Sequence, residues 1–242
     1  MKKLLPLFCA LFCVAQPVHA ANISNLNILL QAEFKTLSED LGSALSYKPV
    51  TPAEPLGVTG FDIGVVVSST DMKKSSAAWN TATGGDSISK LIVPKLHIAK
   101  GLPFNLDIAA FYSKIPTTNI SLFGAELRYA ILEGGVAMPA LAVRGAYTKL
   151  SGVDQLALDT KSLDISISKG FAMFTPYAGV GNVWVNSKAN VTGSGGATLD
   201  ESFTQSKVFV GGNLNFGLFN LALEGDKTGS AKSTSLKMGF RF

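Results

Sequence analysis

The last residues of the chain alternate strictly between two kinds of side chain. The apolar set runs to the chain terminus and ends in two aromatic residues: Leu236, Met238, Phe240 and Phe242. The set between them includes two long cations, Lys237 and Arg241. Successive side chains of a strand point to opposite faces, so this stretch predicts a strand with one oily and one charged face. Cations are costly in a packed core and well hydrated in a wet lumen, which favours a transmembrane barrel over a soluble sheet.

The same two-residue period recurs from Gly57 onward and predicts about ten strands. Short connections, such as residues 101–103 and 133–135, alternate along the chain with longer polar ones, such as residues 71–87 and 187–202. Outer-membrane barrels have this asymmetry, with short turns at one end and longer loops at the other. A soluble β-sandwich or a lipocalin-like barrel also alternates, but neither requires the asymmetry. The sequence therefore predicts an all-β fold, a transmembrane antiparallel up-and-down β-barrel of about ten strands, over residues 57–242.

Parts of this pattern are less regular. Phe104 opens the third predicted strand directly after a tight turn. In the sixth strand, Leu156 and Leu158 are out of phase with the alternation that follows, which predicts a bulge or a strand end near Thr160. The seventh strand, over residues 175–186, is rich in glycine and its faces stay unassigned. Residues 226–232 are predicted to form a loop.

Aromatic residues concentrate near both ends of the predicted strands. Tyr112, Tyr147 and Trp184 fall near the longer loops. A larger group falls near the tight turns: Phe104, Tyr129, Phe174, Phe216, Phe219, Phe240 and Phe242. Two such girdles are expected where a barrel meets the two surfaces of a membrane.

Residues 1–20 have the composition of a secretory signal peptide. Lys2 and Lys3 precede a short apolar run, and small residues lead to a cleavage site after Ala20. The run is too short for a comfortable transmembrane helix. Its removal would take with it both cysteines, Cys9 and Cys13, and two units of the formal net charge of +4. The small remaining charge does not suggest a nucleic-acid partner.

The next segment, residues 21–56, has a helical period followed by prolines. Apolar residues at spacings of three and four predict an amphipathic helix over residues 21–47, capped by Asn22 or Ser24 and weakened by Gly42 in its last turn. Three prolines then predict an extended tether: Pro49, Pro52 and Pro55. The helix is interpreted either as a periplasmic helix packed under the barrel or as a plug in the lumen. The first is favoured, because a small barrel has little interior room.

Twelve charged or titratable residues are predicted to face the lumen: Asp62, Lys95, His97, Asp107, Glu126, Arg128, Arg144, Asp164, Lys207, Glu224, Lys237 and Arg241. Their signs are mixed, so one interpretation is a ladder of ion pairs that fills a narrow barrel. The alternative is a polar constriction that lines a pore. Consecutive strands are neighbours, so four of them are expected to form one cluster: Asp107, Glu126, Arg128 and Arg144.

The residues after the signal peptide offer little for catalysis. They include one histidine, His97, with no nucleophile and acid spaced around it, so no catalytic residue is assigned. One histidine also leaves no ligand set for a metal, and no cofactor is predicted. The glycine pairs lie in loops without a strand-to-helix context, so they do not predict a phosphate site.

The C-terminal alternation ending in phenylalanine resembles the closing strand of bacterial outer-membrane β-barrels. In that class the terminal strand is read by the barrel assembly machinery, so the resemblance implies that Phe240 and Phe242 form the assembly signal. It also implies outer-membrane lipid as a partner and the outer membrane of a Gram-negative bacterium as the location.

The chain beyond the signal peptide is similar to a family of small uncharacterised proteobacterial outer-membrane proteins. The stretches that carry this resemblance are GVTGFDIGV, LHIAKGLPF, LRYAILEGG and the terminal FRF. The segment before the barrel is loosely similar to the N-terminal hatch of fatty-acid transport porins. The expected function is a structural barrel or a narrow passive channel. The alternatives are a hydrophobic-ligand transporter with an N-terminal plug, taking a small solute or a lipid-like ligand, and an outer-membrane hydrolase.

Overall fold

The computed structural model describes residues 25–85, 89–114, 120–135 and 137–242. The predicted signal peptide and both proposed helix caps, Asn22 and Ser24, lie outside these ranges. Ten antiparallel strands close into one barrel, in which each strand pairs with the next and the last pairs with the first. Their bounds are β1 Phe61–Asp71, β2 Lys90–Gly101, β3 Leu106–Lys114, β4 Ser121–Glu133, β5 Ala140–Ser151, β6 Leu156–Ser168, β7 Phe174–Thr192, β8 Thr198–Phe216, β9 Phe219–Thr228 and β10 Ala231–Arg241. The predicted all-β, up-and-down barrel is confirmed.

In the described ranges, two α-helices accompany the barrel. Helix α1, Gln31–Leu45, precedes it and follows a 3-10 turn at Leu26–Ile28. Helix α2, Ser76–Thr83, lies between β1 and β2 after a 3-10 turn at Lys73–Ser75. Among the described residues, no helix is both long enough and apolar enough to cross a membrane.

Alternation along each strand separates an apolar outside from a filled inside. On β1, Ile63, Val65 and Val67 are 36–42 % exposed, whereas Asp62 and Val66 are each 1 % exposed. The other strands show the same alternation of exposed and buried positions, with few interruptions. The buried positions face the lumen, because they are the ones in contact with residues that precede the barrel.

The segment before the barrel lies inside it. Helix α1 packs against β1, β6, β7, β8 and β10, and Phe34 and Leu37 in its middle are fully buried. The favoured interpretation, a helix packed under the barrel, is therefore wrong, and the alternative, a helix in the lumen, describes the structure. The lumen of this ten-stranded barrel has room for one helix where the wall presents small and aliphatic side chains. Gly42 gives the closest approach: a Cβ atom there would lie 2.7 Å from a methyl carbon of Val185.

The segment runs through the lumen in one direction. We call the end of the barrel that holds residues 102–105 and 217–218 the turn end, and the opposite end the loop end. At the loop end, the Asn25 N–H donates to Ala82 O, and Leu29 O accepts from the Ser194 N–H. At the turn end, the Leu56 N–H donates to the Asp107 carboxylate, shortly before β1 begins. The described chain therefore starts at the loop end and crosses the whole lumen before the barrel begins.

Helix α1 begins later than predicted, and its start has a local cause. The backbone at Leu29 and Leu30 is extended, and the Leu30 N–H donates to the Glu33 carboxylate at 3.0 Å. This contact satisfies a backbone donor at the helix start that would otherwise lack a partner. Leu30, one of the apolar residues whose spacing predicts the helix, is exposed and precedes the first turn.

Several predicted loops are shorter or more ordered than expected. Strands β7 and β8 each have 19 residues, so most of the predicted loop at residues 187–202 is strand. The predicted loop at residues 226–232 reduces to a turn at Gly229 and Ser230. Residues 71–87 contain α2. Phe104 does not begin β3 but lies in the preceding turn, with a φ of 63°.

The bulge predicted near Thr160 is wrong. Strand β6 pairs without interruption with β5 and β7 across this region. Leu156 and Leu158 face the lumen on the same side as the serines and the aspartate that follow, and both are buried. Their apolar character reflects a lumen that is itself apolar at the loop end, because α1 packs there.

Candidate functional site: the lumen and the segment that fills it

The half of the lumen nearest the loop end is sealed by apolar packing. Helix α1 and the turn before it contribute side chains that are at most 4 % exposed: Leu26, Leu29, Phe34, Leu37, Leu41 and Leu45. The wall answers with buried apolar residues from β2 to β8: Leu91, Val93, Phe111, Leu122, Leu150, Leu156, Leu158, Val183, Val185 and Leu199. Burial of this surface is a non-directional but large stabilising contribution, so the helix is held as part of the core.

Polar contacts fix the rotation and depth of α1. Ser38 Oγ donates to Ser187 Oγ at 2.8 Å, and Ser43 Oγ donates to Thr228 O at 2.9 Å. The Asp40 carboxylate accepts from both the N–H and the hydroxyl of Ser75, at 2.9 and 2.8 Å. These contacts attach the helix to the wall and to the connection that contains α2.

The half of the lumen nearest the turn end holds the extended tether, which has a three-residue repeat. Residues 48–56 read KPV-TPA-EPL, with proline in the middle of each triplet. The residue after each proline donates its backbone N–H to the wall: Val50 to Glu224, Ala53 to Ser168 and Leu56 to Asp107, each at 3.1 Å. Proline has no N–H, so the triplets reduce the number of backbone donors that the wall has to satisfy.

Cations of the wall bind the carbonyl groups of the same tether. Lys207 Nζ donates to Tyr47 O at 2.9 Å, and Arg128 Nη1 donates to Pro52 O at 2.5 Å. In the opposite sense, Lys48 of the tether forms an ion pair with Asp226 of the wall at 2.9 Å. The lumen charges therefore recognise an extended backbone, with acceptors for its N–H groups and donors for its carbonyl groups.

Several wall charges that contact the tether, such as Asp107, Arg128 and Lys207, are also paired with other wall charges. Four buried ion pairs join wall strands: Asp62–Lys237 at 2.6 Å, Asp107–Arg128 at 2.6 Å, Glu126–Arg144 at 3.0 Å and Asp164–Lys207 at 2.9 Å. The expected four-residue cluster consists of two of these pairs. Arg128 and Arg144 lie directly opposite each other on β4 and β5, and each has its own carboxylate.

The structure places the twelve predicted lumen residues as follows. Eleven are buried on the inward face of their strands. Arg241 also faces inward but is partly exposed, because it lies at the turn end beside Leu56. His97 Nε2 is 3.3 Å from the Tyr47 hydroxyl, and Lys95 Nζ lies 4.7 Å from the centre of the Phe111 ring. In the parts of the chain that the structure describes, no group of three or more acidic, histidine or cysteine residues is arranged to hold a metal ion.

One wall ion pair depends on a glycine. Asp164 on β6 and Lys207 on β8 are separated by β7, where Gly181 is the register partner of both. A Cβ atom at Gly181 would lie 2.2 Å from the Asp164 carboxylate and 2.4 Å from Leu163 O. The missing side chain lets the two charged groups meet across an intervening strand.

Sequence reasoning missed the wall residues that bind the segment without carrying a charge, such as Ser168 and Ser187. It also left out Asp226, which was assigned to a loop. The triplet repeat at residues 48–56 was the available signal, because a period of three is unusual for either a helix or a strand and matches an extended proline-rich chain.

Comparisons with known proteins identify a family but assign no function. Residues 69–242, most of the chain, match a family of unknown function (DUF6588). No curated protein matches the chain. Among solved structures, the N-terminal β-barrel domain of OprF from Pseudomonas aeruginosa shares 13 % identity, with a TM-score of 0.36 and coverage of 74 % of this chain and 97 % of that chain.

Two further solved structures are similar at the same level. Ail, the attachment invasion locus protein of Yersinia pestis, shares 13 % identity, with a TM-score of 0.36 and coverage of 76 % of this chain and 99 % of that chain. The translocator domain of the autotransporter NalP from Neisseria meningitidis shares 12 % identity, with a TM-score of 0.37 and coverage of 85 % and 94 %.

The Gly181 geometry predicts a pair of variants with opposite outcomes. Gly181→Ala forces a Cβ atom against a backbone carbonyl and separates Asp164 from Lys207, so we expect a loss of about 1–3 kcal/mol in unfolding free energy. Gly225→Ala is the matched control, because a Cβ atom there meets nothing within 4 Å. Denaturant unfolding in detergent micelles measures both. Equal stability of the two variants would show that the ion pair does not need the glycine.

The contacts of Arg128 predict a large effect of its removal. Arg128→Ala leaves the Asp107 carboxylate buried without its cation and releases the tether carbonyl at Pro52, so we expect a loss of about 3–5 kcal/mol. Arg128→Lys, which keeps the charge but not the forked contact, is expected to lie in between. Unfolding midpoints of the three proteins test this. A loss of about 1 kcal/mol or less, together with a changed cation or anion preference, would instead indicate a hydrated pore.

Proposed function

This chain belongs to the family of unknown function DUF6588, and we propose that it is an integral outer-membrane β-barrel protein whose lumen is closed by its own N-terminal segment. The observation that carries the proposal is the continuous occupation of the lumen by residues 26–56, from the apolar seal around α1 to the hydrogen-bonded tether at the turn end.

The outer surface supports membrane insertion. Aliphatic and aromatic side chains cover the outward positions of the strands, including Leu96, Ile98, Leu127, Ile165 and Val210, each more than 40 % exposed. Tyr112 and Trp184 lie towards the loop end of this apolar band, and Phe216, Phe240 and Phe242 lie at its turn end, all exposed. An apolar band between two aromatic girdles suits a hydrocarbon layer with its two interfaces.

The contents of the lumen favour a closed barrel over a passive channel. Most of the charges that would line a channel are engaged with one another or with the tether, and Lys95 lies over the Phe111 ring. A hydrophobic-ligand transporter would need apolar space, and the apolar half of this lumen is occupied by the leucines of α1. The proposal assigns no catalytic role to His97 and leaves the exposed loops and outer wall as the surfaces for function.

The proposal predicts that conductance depends on the segment. Purified full-length protein in a planar bilayer is expected to be silent, and a variant that lacks residues 25–56 is expected to give reproducible conductance steps, because its polar wall would be hydrated. Heat-modifiable migration on a gel verifies that each barrel is folded. Open channels of the full-length protein, equal to those of the deletion variant, would overturn the closed-lumen proposal.

The direction of the segment predicts which positions face the cell exterior. The chain beyond Cys13 contains no cysteine, so single cysteines are specific probes. Asn27 is exposed at the loop end, and Val58 is exposed at the turn end, so each can be replaced by a cysteine that reports on one end of the barrel. With the turn end in the periplasm, a membrane-impermeant maleimide is expected to label only Asn27→Cys in intact cells and both variants after the outer membrane is permeabilised. Labelling of Val58→Cys alone in intact cells would reverse the orientation.

A further inference from the structure

The outer wall of the barrel carries a ring of lysines where the apolar band ends. On seven of the ten strands, an outward position near the loop end is an exposed lysine: Lys90, Lys114, Lys149, Lys161, Lys188, Lys227 and Lys232. We call these residues the lysine belt. Among the described residues, none of the seven forms a hydrogen bond or an ion pair that would hold its ammonium group.

Lysines near the turn end differ from the belt. Lys100 donates to the carbonyl groups of Val58 and Gly101 and lies over the Phe61 ring. Lys169 donates to Gly135 O at 2.8 Å. These two ammonium groups are held by the protein itself. The belt lysines are therefore an asymmetric feature of one rim.

The belt lies at the depth of a membrane interface. Lys161 is the register partner of Tyr147 on one side and of Trp184 on the other, so it sits between two outward aromatic residues. Aromatic rings of this kind mark the headgroup level, and a lysine there extends its ammonium group towards the polar layer. The groups that the belt meets are thus those of the lipid headgroups at the loop end.

The charge is most concentrated on the wall formed by β9, β10, β1 and β2. Lys227 and Lys232 are direct register partners, and like charges directly opposite each other repel. Lys73 lines the same cleft of about 230 Å³ as Lys232, and Lys90 is the next cation, on β2. Asp71 is the acidic residue between them and is 3.3 Å from Lys73. The cleft is also lined by Lys74, which is paired with Glu39, and by Asp40, whose carboxylate accepts hydrogen bonds from Ser75. Even with both carboxylates counted, the lysines outnumber them, so this patch attracts an anion.

Elsewhere the belt is partly neutralised. Lys149 is the register partner of Asp159, and Lys188 is the register partner of Asp200. Lys114 and Lys161 have no carboxylate as a register partner, but each is a single cation on its strand.

What distinguishes the wall from β9 to β2 is that four cations lie around Asp71, which is the register partner of Lys90 and the ion-pair partner of Lys73. We call these four cations, Lys73, Lys90, Lys227 and Lys232, the lysine patch.

We propose that the lysine patch binds the phosphate groups of a phosphorylated glycolipid in the leaflet at the loop end. The inference rests on the proposed membrane insertion, because only insertion brings lipid headgroups to this height on the wall. Ammonium groups bind phosphate as point charges, and neighbouring outward apolar residues such as Leu236 and Val67 would contact the acyl chains. A lipid with two phosphates suits a patch whose cations are spread over β9, β10, β2 and the 3-10 turn that follows β1.

The test compares two triple variants with the same change in charge. The patch variant is Lys90→Gln/Lys227→Gln/Lys232→Gln, and the control is Lys114→Gln/Lys149→Gln/Lys188→Gln on the other strands. Binding of bisphosphorylated lipid A to each detergent-purified protein is measured by native mass spectrometry and by the shift in melting temperature. We expect the affinity of the patch variant for lipid A to fall by at least about tenfold, and the affinity of the control to stay within about threefold of wild type.

Two further probes identify the ligand. Lipid A without phosphates is expected to bind wild type no better than it binds the patch variant. Inorganic phosphate at millimolar concentration is expected to leave bound lipid A in place. Equal weakening in both triple variants would overturn a localised site, and so would tight binding of inorganic phosphate alone. Outer-membrane fractionation and heat-modifiable migration of the patch variant test the membrane proposal separately, because loss of lipid binding in a correctly inserted barrel leaves that proposal intact.

Discussion

The structure depends on the pairing of lumen charges with an extended backbone. A lumen of this width can hold one chain segment, and the inward face of its wall carries carboxylates, ammonium and guanidinium groups that are expensive to bury unpaired. The backbone of the tether supplies hydrogen-bond partners for these groups: the Val50 N–H donates to Glu224, and the Pro52 carbonyl accepts from Arg128. The segment therefore supplies partners for several of the buried wall charges, and the wall supplies partners for the backbone of the segment.

The same principle explains why the lumen has two chemistries. Where the segment is helical, its backbone hydrogen bonds are internal, and what it presents to the wall is a surface of leucines. Where the segment is extended, its backbone groups need partners from outside, and the wall supplies ionic and hydroxyl side chains. The boundary falls near residues 45–48. There the Tyr47 ring is the last contribution of the segment to the main apolar cluster, and the Tyr47 carbonyl accepts a hydrogen bond from Lys207.

The barrel could be predicted from the sequence, because the alternation of apolar and polar residues is visible within each strand without knowledge of the neighbouring strands. The inward position of residues such as Asp107 and Arg144 followed from the same period. Alternation does not show which residues pack against the inward face of a strand. Leu156 and Leu158 therefore look out of phase with the alternation, because inward residues were expected to be polar. Both in fact face inward and belong to the apolar cluster that includes α1.

The predicted lengths of β7 and β8 were too short for a related reason. Residues 186–204 on β7 and β8 have polar outward residues such as Asn186, Lys188 and Asp200, so the apolar half of the alternation disappears where the hairpin leaves the apolar band. The position of α1 was missed because an amphipathic helix reads the same whether its apolar face packs in a lumen or against the rim of a barrel. The proline triplets were the sequence signal for a segment inside the lumen, because the residue after each proline donates its N–H to a wall acceptor. A free linker would not require this regular spacing.

The seam of the barrel joins the filling of the lumen to its closure. Strand β1 begins five residues after Leu56, where the segment leaves the lumen. The first and last strands meet at Phe61 and Phe242, whose rings stack with centres 5.6 Å apart. The Asp62–Lys237 pair crosses this seam. If the barrel closed first, α1 would have to pass the ionic half of the lumen with its leucines exposed to unpaired charges. If the strands close around a seated segment, each charge meets its partner as the seam forms. The placement of an apolar helix beyond a polar constriction therefore favours closure of the wall around the segment over threading of the segment through a finished barrel.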